Sequence, residues 1–328
     1  MVNYVCVLCG VIIFVGTYAK GADLMGVNKS IPDKKGCMLC PRECMADRAH
    51  GETGYCGMPM ELTVARAALH FWEEPCITGK GGSGTVFFSG CTLRCVFCQN
   101  YEIAAGTAGK RICPERLTEI FWELKEQGAE NINLVTAGHF LPLVIPALSA
   151  AKARGLEIPI VYNTSGYEKA DVLQQLNGLV DIWLPDYKYR DSVLAKRLSH
   201  CADYPKRAEI ALTEMVRQAG KPVFDSRGMM KKGVIVRHLV LPGCVGDSKD
   251  VLDYLHDTWG EQIWISILSQ YTPLPHVRDD PHLNRRVTDA EYGEVVDYAC
   301  FLGMKQVYIQ EGGCAGESFI PAFDYTGV

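Results

Sequence analysis

Short runs of β-branched, aromatic and aliphatic residues recur along most of this chain, separated by longer stretches in which apolar residues return every three or four positions. Bounded apolar runs read as buried strands and the longer periodic stretches as amphipathic helices. Residues 85–89, 131–136, 158–163, 180–184, 233–241, 263–268 and 306–309 fit the strand pattern. Residues 114–127, 141–154, 168–176, 247–259 and 289–302 fit the helix pattern, and 191–220 holds two helical patterns broken at Tyr204-Pro205. Pro114 and Gly128 stand where helix entry and exit favour proline and glycine. Strands alternating with helices predict an α/β fold of parallel units wound into an incomplete (β/α) barrel. There is no internal repeat and no low-complexity tract.

The pattern divides the chain into a hydrophobic N-terminal extension (1–24), a Cys-rich segment with its connector (25–78), and the barrel (79–328), entered through a glycine-rich stretch at 79–84. Residues 2–19 carry no charge, so the extension reads either as a signal-peptide core or marginal anchor, or as a buried or disordered appendage, or as leader to a true start at Met25. No Lys or Arg precedes the apolar core, which weighs against targeting. Cys6 and Cys9 within it are not expected to be ligands.

With 328 residues, 48% of them hydrophobic, the chain can bury one large domain plus a small appendage. Its net charge is −5 and its 33 Lys and Arg are scattered, which excludes the basic footprint of a nucleic-acid binder. Of its fifteen cysteines, seven fall into two groups with metal-ligand spacing rather than into the spaced pairs of a secreted disulfide scaffold. A reducing cytoplasm, low in oxygen, with no membrane partner, is the expected setting.

In β/α barrels the loops after the strands converge on one face and carry function. The polar residues here gather there: Cys91 after the first predicted strand, Thr136 to His139 after the second, Asn163, Thr164 and Ser165 after the third, Asp186 and Lys188 after the fourth, Gln270 and Tyr271 after the sixth, and Gln310 and Glu311 after the seventh. Cys91, Cys95 and Cys98 are spaced Cys-x-x-x-Cys-x-x-Cys, which wraps a loop around one cubane iron–sulfur cluster. Clusters that only pass electrons take four cysteines, so three leave one iron open for chemistry.

With Phe97 before its last cysteine, with Gly84-Thr85-Val86-Phe87-Phe88-Ser89-Gly90 ahead of it and Gln99-Asn100-Tyr101 behind, the motif resembles that of the radical S-adenosylmethionine (SAM) superfamily. The likeness is greatest to the branch similar to pyruvate formate-lyase activating enzyme and spans roughly residues 37 to 328. It implies a 4Fe-4S cluster on Cys91, Cys95 and Cys98, SAM on the open iron, reduction by a flavodoxin- or ferredoxin-type protein, and a possible glycyl radical enzyme as partner. It also implies cofactor contacts from Phe97, Gly138, His139, Asn163, Ser165, Asp186, Lys188 and Arg237, with no general base. Three departures stand out. Thr136-Ala137-Gly138-His139 replaces a Gly-Gly-Glu word, so the acid for the cofactor's amino group is missing, and His139 could equally serve the substrate. Asn163 replaces an expected aspartate, and Arg237 could instead pair with Asp186 for structural reasons. The implied chemistry is reductive cleavage of SAM to a 5'-deoxyadenosyl radical, in an activase or on a small molecule or peptide.

Cys37, Cys40, Cys44 and Cys56 form a second set, of four thiolates, suited to a closed site holding zinc or an iron–sulfur cluster. Glu73 and Glu74 in the following connector face either the site or solvent, and solvent is the expectation. Cys76, Cys113, Cys201, Cys244, Cys300 and Cys314 read as small buried residues. A fourth ligand to the Cys91 cluster from Cys76 or Cys113 would instead make the chain a closed-cluster electron-transfer protein.

Overall fold

The computed structural model describes residues 36–310 and 320–328. The predicted extension 1–24, Glu311 and Cys314 lie outside the described residues. Residues 36–62 form turns and one short 3-10 stretch, Arg48–His50. The chain then runs through β1 (Thr63–His70), α1 (Pro75–Thr78), β2 (Ser83–Phe88), α2 (Tyr101–Ala104), β3 (Lys110–Arg111), α3 (Pro114–Glu126), β4 (Ile132–Val135), α4 (Leu141–Ala153), β5 (Ile160–Thr164) and α5 (Ala170–Leu173). It continues through β6 (Ile182–Pro185), α6 (Ser192–Ser199), α7 (Tyr204–Ala219), β7 (Val223–Phe224), β8 (Met230–Leu239), α8 (Val245–Trp259), β9 (Trp264–Leu268), α9 (Asp289–Phe301) and β10 (Val307–Ile309).

One sheet runs in the order β10-β9-β8-β6-β5-β4-β2-β1-β3, with β7 paired to β8. The strands from β2 to β10 along that path are mutually parallel and are the seven predicted from the pattern. β1 and β3 extend the sheet with antiparallel pairs, so the sheet begins well before the expected barrel start at residue 79. β10 and β3 stand at opposite ends of the strand order and do not pair with each other among the described residues; the C-terminal segment runs beside β1, with the Ala67 amide donating to the Thr326 carbonyl at 2.9 Å and the Tyr325 amide to the Ala65 carbonyl at 3.2 Å.

Helices cover the outside, where Phe121, Leu148, Trp183, Leu212 and Leu255 belong to one continuous buried core. Each such side chain contributes about 1.5–3 kcal/mol through apolar burial. The helix ends follow local chemistry. Asp191 accepts the Val193 amide at 2.6 Å at the start of α6, and Thr288 and Glu291 form a reciprocal capping box on α9. No helix among the described residues is long and apolar enough to cross a membrane.

Candidate active site

Successive strand residues point to opposite faces. On β8, Arg237 and Leu239 therefore face the barrel interior while Val236 and His238 join the outer core or its polar seam. On β9, Ser266 and Leu268 face inward while Ile265 and Ile267 face the helices. The inward residues and the strand-end loops enclose a cavity of about 430 Å³, a size usual for small-molecule sites.

Cys91, Cys95 and Cys98 all line this cavity, in the loop after β2. Gly90 opens that loop at φ +87°, and a Cβ there would stand 2.4 Å from Met58 Cγ and 2.7 Å from the Cys56 carbonyl oxygen, so only glycine fits. Cys91 Sγ accepts the Leu93 amide at 3.4 Å, and the Ser199 hydroxyl donates to Cys95 Sγ at 2.9 Å. Burial and the neighbouring thiols Cys91 and Cys95 push Cys98 up to about 12, and burial raises Cys95 against the pull of Lys188. These sulfurs become thiolates when a cationic centre takes the place of their protons.

The donor set fits an open iron–sulfur cluster. Three half-buried thiols line one cavity, two of them accepting hydrogen bonds, and no other cysteine among the described residues lines it. Cys76 packs between strands in a separate small cluster, and Cys113 precedes α3. Among the described residues no three His, Cys, Asp or Glu side chains converge as they do around a single metal ion.

Most residues expected at the cofactor are on the cavity wall. Phe97, Asn163, Ser165, Asp186, Lys188 and Arg237 line it, as do Thr136, Gln270 and Gln310. Gly138 and His139 are not among the residues that line it. His139 is 1% exposed and donates from Nε2 to the Ser89 carbonyl at 2.7 Å, and burial followed by Arg48 lowers it to about 3. Its work is to brace the strand that ends at the cysteine loop.

Lys188 Nζ is 2.7 Å from Asp186 and 6.0 Å from the centre of the Phe97 ring. Burial pulls its ammonium down, but Asp186 and Cys95 outweigh it and hold the pKa above the ordinary lysine value. Arg237 meets Asp186 only through the backbone, with the Tyr187 amide donating to the Arg237 carbonyl at 2.8 Å. Its guanidinium instead pairs with Glu73 and Glu74. Burial acts on both Arg237 and Glu74, yet the pair prevails, raising the arginine and lowering the acid.

The two acids expected at the surface are therefore in the cavity wall, with Glu74 6% exposed. Asn133 further donates to Glu73 at 2.8 Å. Gln99, from the motif, also lines the cavity, and so does Ser266, which was not singled out in the sequence. Ser266 was recognisable as the one polar residue within the apolar run of β9. Of the cysteines expected to be buried, Cys300 is exposed, because it falls on the outer face of α9 while its neighbour Ala299 packs into the core.

Residues 85–236 match the family model of the radical SAM superfamily. The chain carries a radical SAM domain. The matched stretch opens on β2 and closes on β8, and so contains the cysteine loop and most of the cavity wall. An uncharacterized protein of Methanocaldococcus jannaschii is 26% identical over 282 residues, covering 84% of this chain and 77% of that one. Among solved structures, Streptococcus suis SuiB bound to precursor peptide SuiA is similar with a TM-score of 0.47 at 13% identity, over 68% of this chain. This chain spans only 47% of SuiB. A domain of pyruvate-formate lyase-activating enzyme from Bacteroides vulgatus is similar with a TM-score of 0.35 at 16% identity, over 51% of this chain and 89% of that one.

Proposed function

We propose that this radical SAM enzyme acts on a polypeptide, as an activase that places a glycyl radical in a partner protein. The observation that carries the reading is that the two end strands of the sheet, β10 and β3, do not pair with each other among the described residues. A closed barrel admits small molecules through its mouth, whereas a barrel whose end strands do not pair can part to admit a loop of a second chain. A flavodoxin- or ferredoxin-type reductant supplies the electron.

In this reading Cys91, Cys95 and Cys98 hold a 4Fe-4S cluster. When bound, cluster and SAM together supply the 5'-deoxyadenosyl radical that takes a hydrogen atom from the substrate. Phe97 offers an apolar face to the adenine, and Asn163, Ser165 and Asp186 offer polar contacts. Lys188, neutralised by Asp186, keeps positive charge beside Cys95 without leaving it uncompensated. Arg237, already held by two acids, shapes the wall and has little capacity left for the cofactor carboxylate.

The experiment is anaerobic incubation of the reconstituted enzyme, SAM and reductant with a candidate glycyl radical enzyme. A carbon-centred radical signal in the partner, lost when its radical glycine is replaced by alanine, supports the reading. A small-molecule product formed with no polypeptide radical in any candidate would refute it.

We also propose a second metal, zinc or an iron–sulfur cluster, at Cys37, Cys40, Cys44 and Cys56. The sulfurs of Cys44 and Cys56 lie 3.3 and 3.5 Å from the point where a Cβ on Gly54 would stand, and Cys37 Sγ is 3.6 Å from the Arg48 guanidinium. Burial pushes Cys40 up to about 12. Metal analysis of a Cys40→Ser variant is expected to find this metal lost and the iron of the Cys91 loop retained; unchanged metal content contradicts the site.

A further inference from the structure

The N-terminal cysteine segment is fastened to the loop of the cluster-binding cysteines at several points. The Cys91 amide donates to the Cys56 carbonyl at 3.1 Å. Arg48 reaches the Met58 and His139 carbonyls, each at 2.8 Å. The most extensive link is Arg42, which lies between Cys40 and Cys44. It donates from Nε to the Thr92 carbonyl at 2.9 Å and from Nη2 to the Leu93 and Ser199 carbonyls at 3.4 and 2.9 Å. Its Nη1 donates to the His200 carbonyl at 2.8 Å.

Two of those carbonyls belong to the cysteine loop and two to the end of α6, where helix carbonyls lack partners of their own. Arg42 thus joins three segments. Its guanidinium lies 4.0 Å from the centre of the Tyr55 ring, and Arg94, in the cysteine loop, lies 5.9 Å from the same ring. The α6 end matters because Ser199 donates to Cys95 Sγ at 2.9 Å, while Tyr189 fixes the Ser199 hydroxyl at 2.9 Å. A planar, permanently charged fork is the side chain that can satisfy several carbonyls at once, and lysine cannot reproduce it.

We infer that Arg42 is a positioning residue that locks the loop of Cys91, Cys95 and Cys98 to the N-terminal cysteine segment and, through Ser199, orients Cys95. The inference rests on the radical reading of that loop. It explains why the cysteine segment docks beside the cavity rather than at the far end of the barrel, and it does not depend on which metal that segment holds.

The test compares the parent with Arg42→Ala, Arg42→Lys and, as a surface control, Arg227→Ala, all reconstituted anaerobically. The signal of the Cys91, Cys95 and Cys98 cluster is isolated by subtracting a variant with all three changed to alanine. In Arg42→Ala a changed EPR line shape with SAM and a shifted midpoint potential are expected, with 5'-deoxyadenosine release about tenfold or more slower, the scale of a small misplacement of reacting groups. Arg42→Lys should fall between, and Arg227→Ala should match the parent. Parental line shape, potential and release in Arg42→Ala overturn the inference. If that variant does not fold, Arg42→Lys decides, and fully parental behaviour there overturns it equally. A parent that releases no 5'-deoxyadenosine defeats the radical reading itself, while line shape and potential still judge Arg42.

Discussion

Arg237 and Glu74 meet in a two-point ion pair, Nε at 2.9 Å and Nη2 at 2.8 Å from the two carboxylate oxygens, across 163 residues of sequence. The pair ties the connector after β1 to the inner face of β8 in the wall of the cavity. Two charges taken out of water are costly unless both remain paired.

Replacing Glu74 by alanine leaves Arg237 with Glu73 alone. A loss of about 3 kcal/mol is expected, the scale for breaking a buried pair. Urea unfolding of Glu74→Ala, Arg237→Ala and the double variant checks it. Coupling above about 1 kcal/mol in that cycle supports the pair, and additive effects contradict it.

In the proposed function Ser199 tunes the cluster through Cys95 without touching substrate. Removing its hydroxyl in Ser199→Ala withdraws a hydrogen bond from Cys95 Sγ, and hydrogen bonds to the sulfurs raise cluster potentials. One such bond is worth about 1 kcal/mol, or roughly 40 mV for one electron. A redox titration should find the midpoint lower by that order; an unchanged or higher value contradicts the contact.

His238 gives the fold a pH dependence. Its Nδ1 donates to the Tyr187 carbonyl and its Nε2 faces the Ser248 hydroxyl, both at 2.9 Å, and burial lowers its pKa from 6.5 to about 4. Between those values the unfolded chain binds a proton that the folded chain does not. The contribution is therefore complete above pH 6.5 and is lost as the pH falls toward 4, by up to about 3 kcal/mol. Urea midpoints from pH 7 to 4 should fall more steeply for the parent than for His238→Gln; equal slopes would contradict this.

The seven parallel strands were legible because each is a short apolar run bounded by turn residues, a pattern that buried parallel strands impose. β1 was not, since Thr-Val-Ala-Arg-Ala-Ala-Leu-His is rich in alanine and its strand state comes from pairing with β2. The three-cysteine loop was legible from spacing alone. The contacts of Glu73, Glu74 and Arg42 were not, because their partners lie far along the chain and a local pattern cannot encode them. His139 misled for the opposite reason: its position after β4 suggested function, but its ring turns back to Ser89.

The central claim is tested most directly by 5'-deoxyadenosine release from SAM under reductant, comparing anaerobically reconstituted protein with a variant carrying alanine at Cys91, Cys95 and Cys98. Release by the parent and none by the variant is the expected result. No release from a parent whose cluster is present and reducible would contradict radical chemistry at this site.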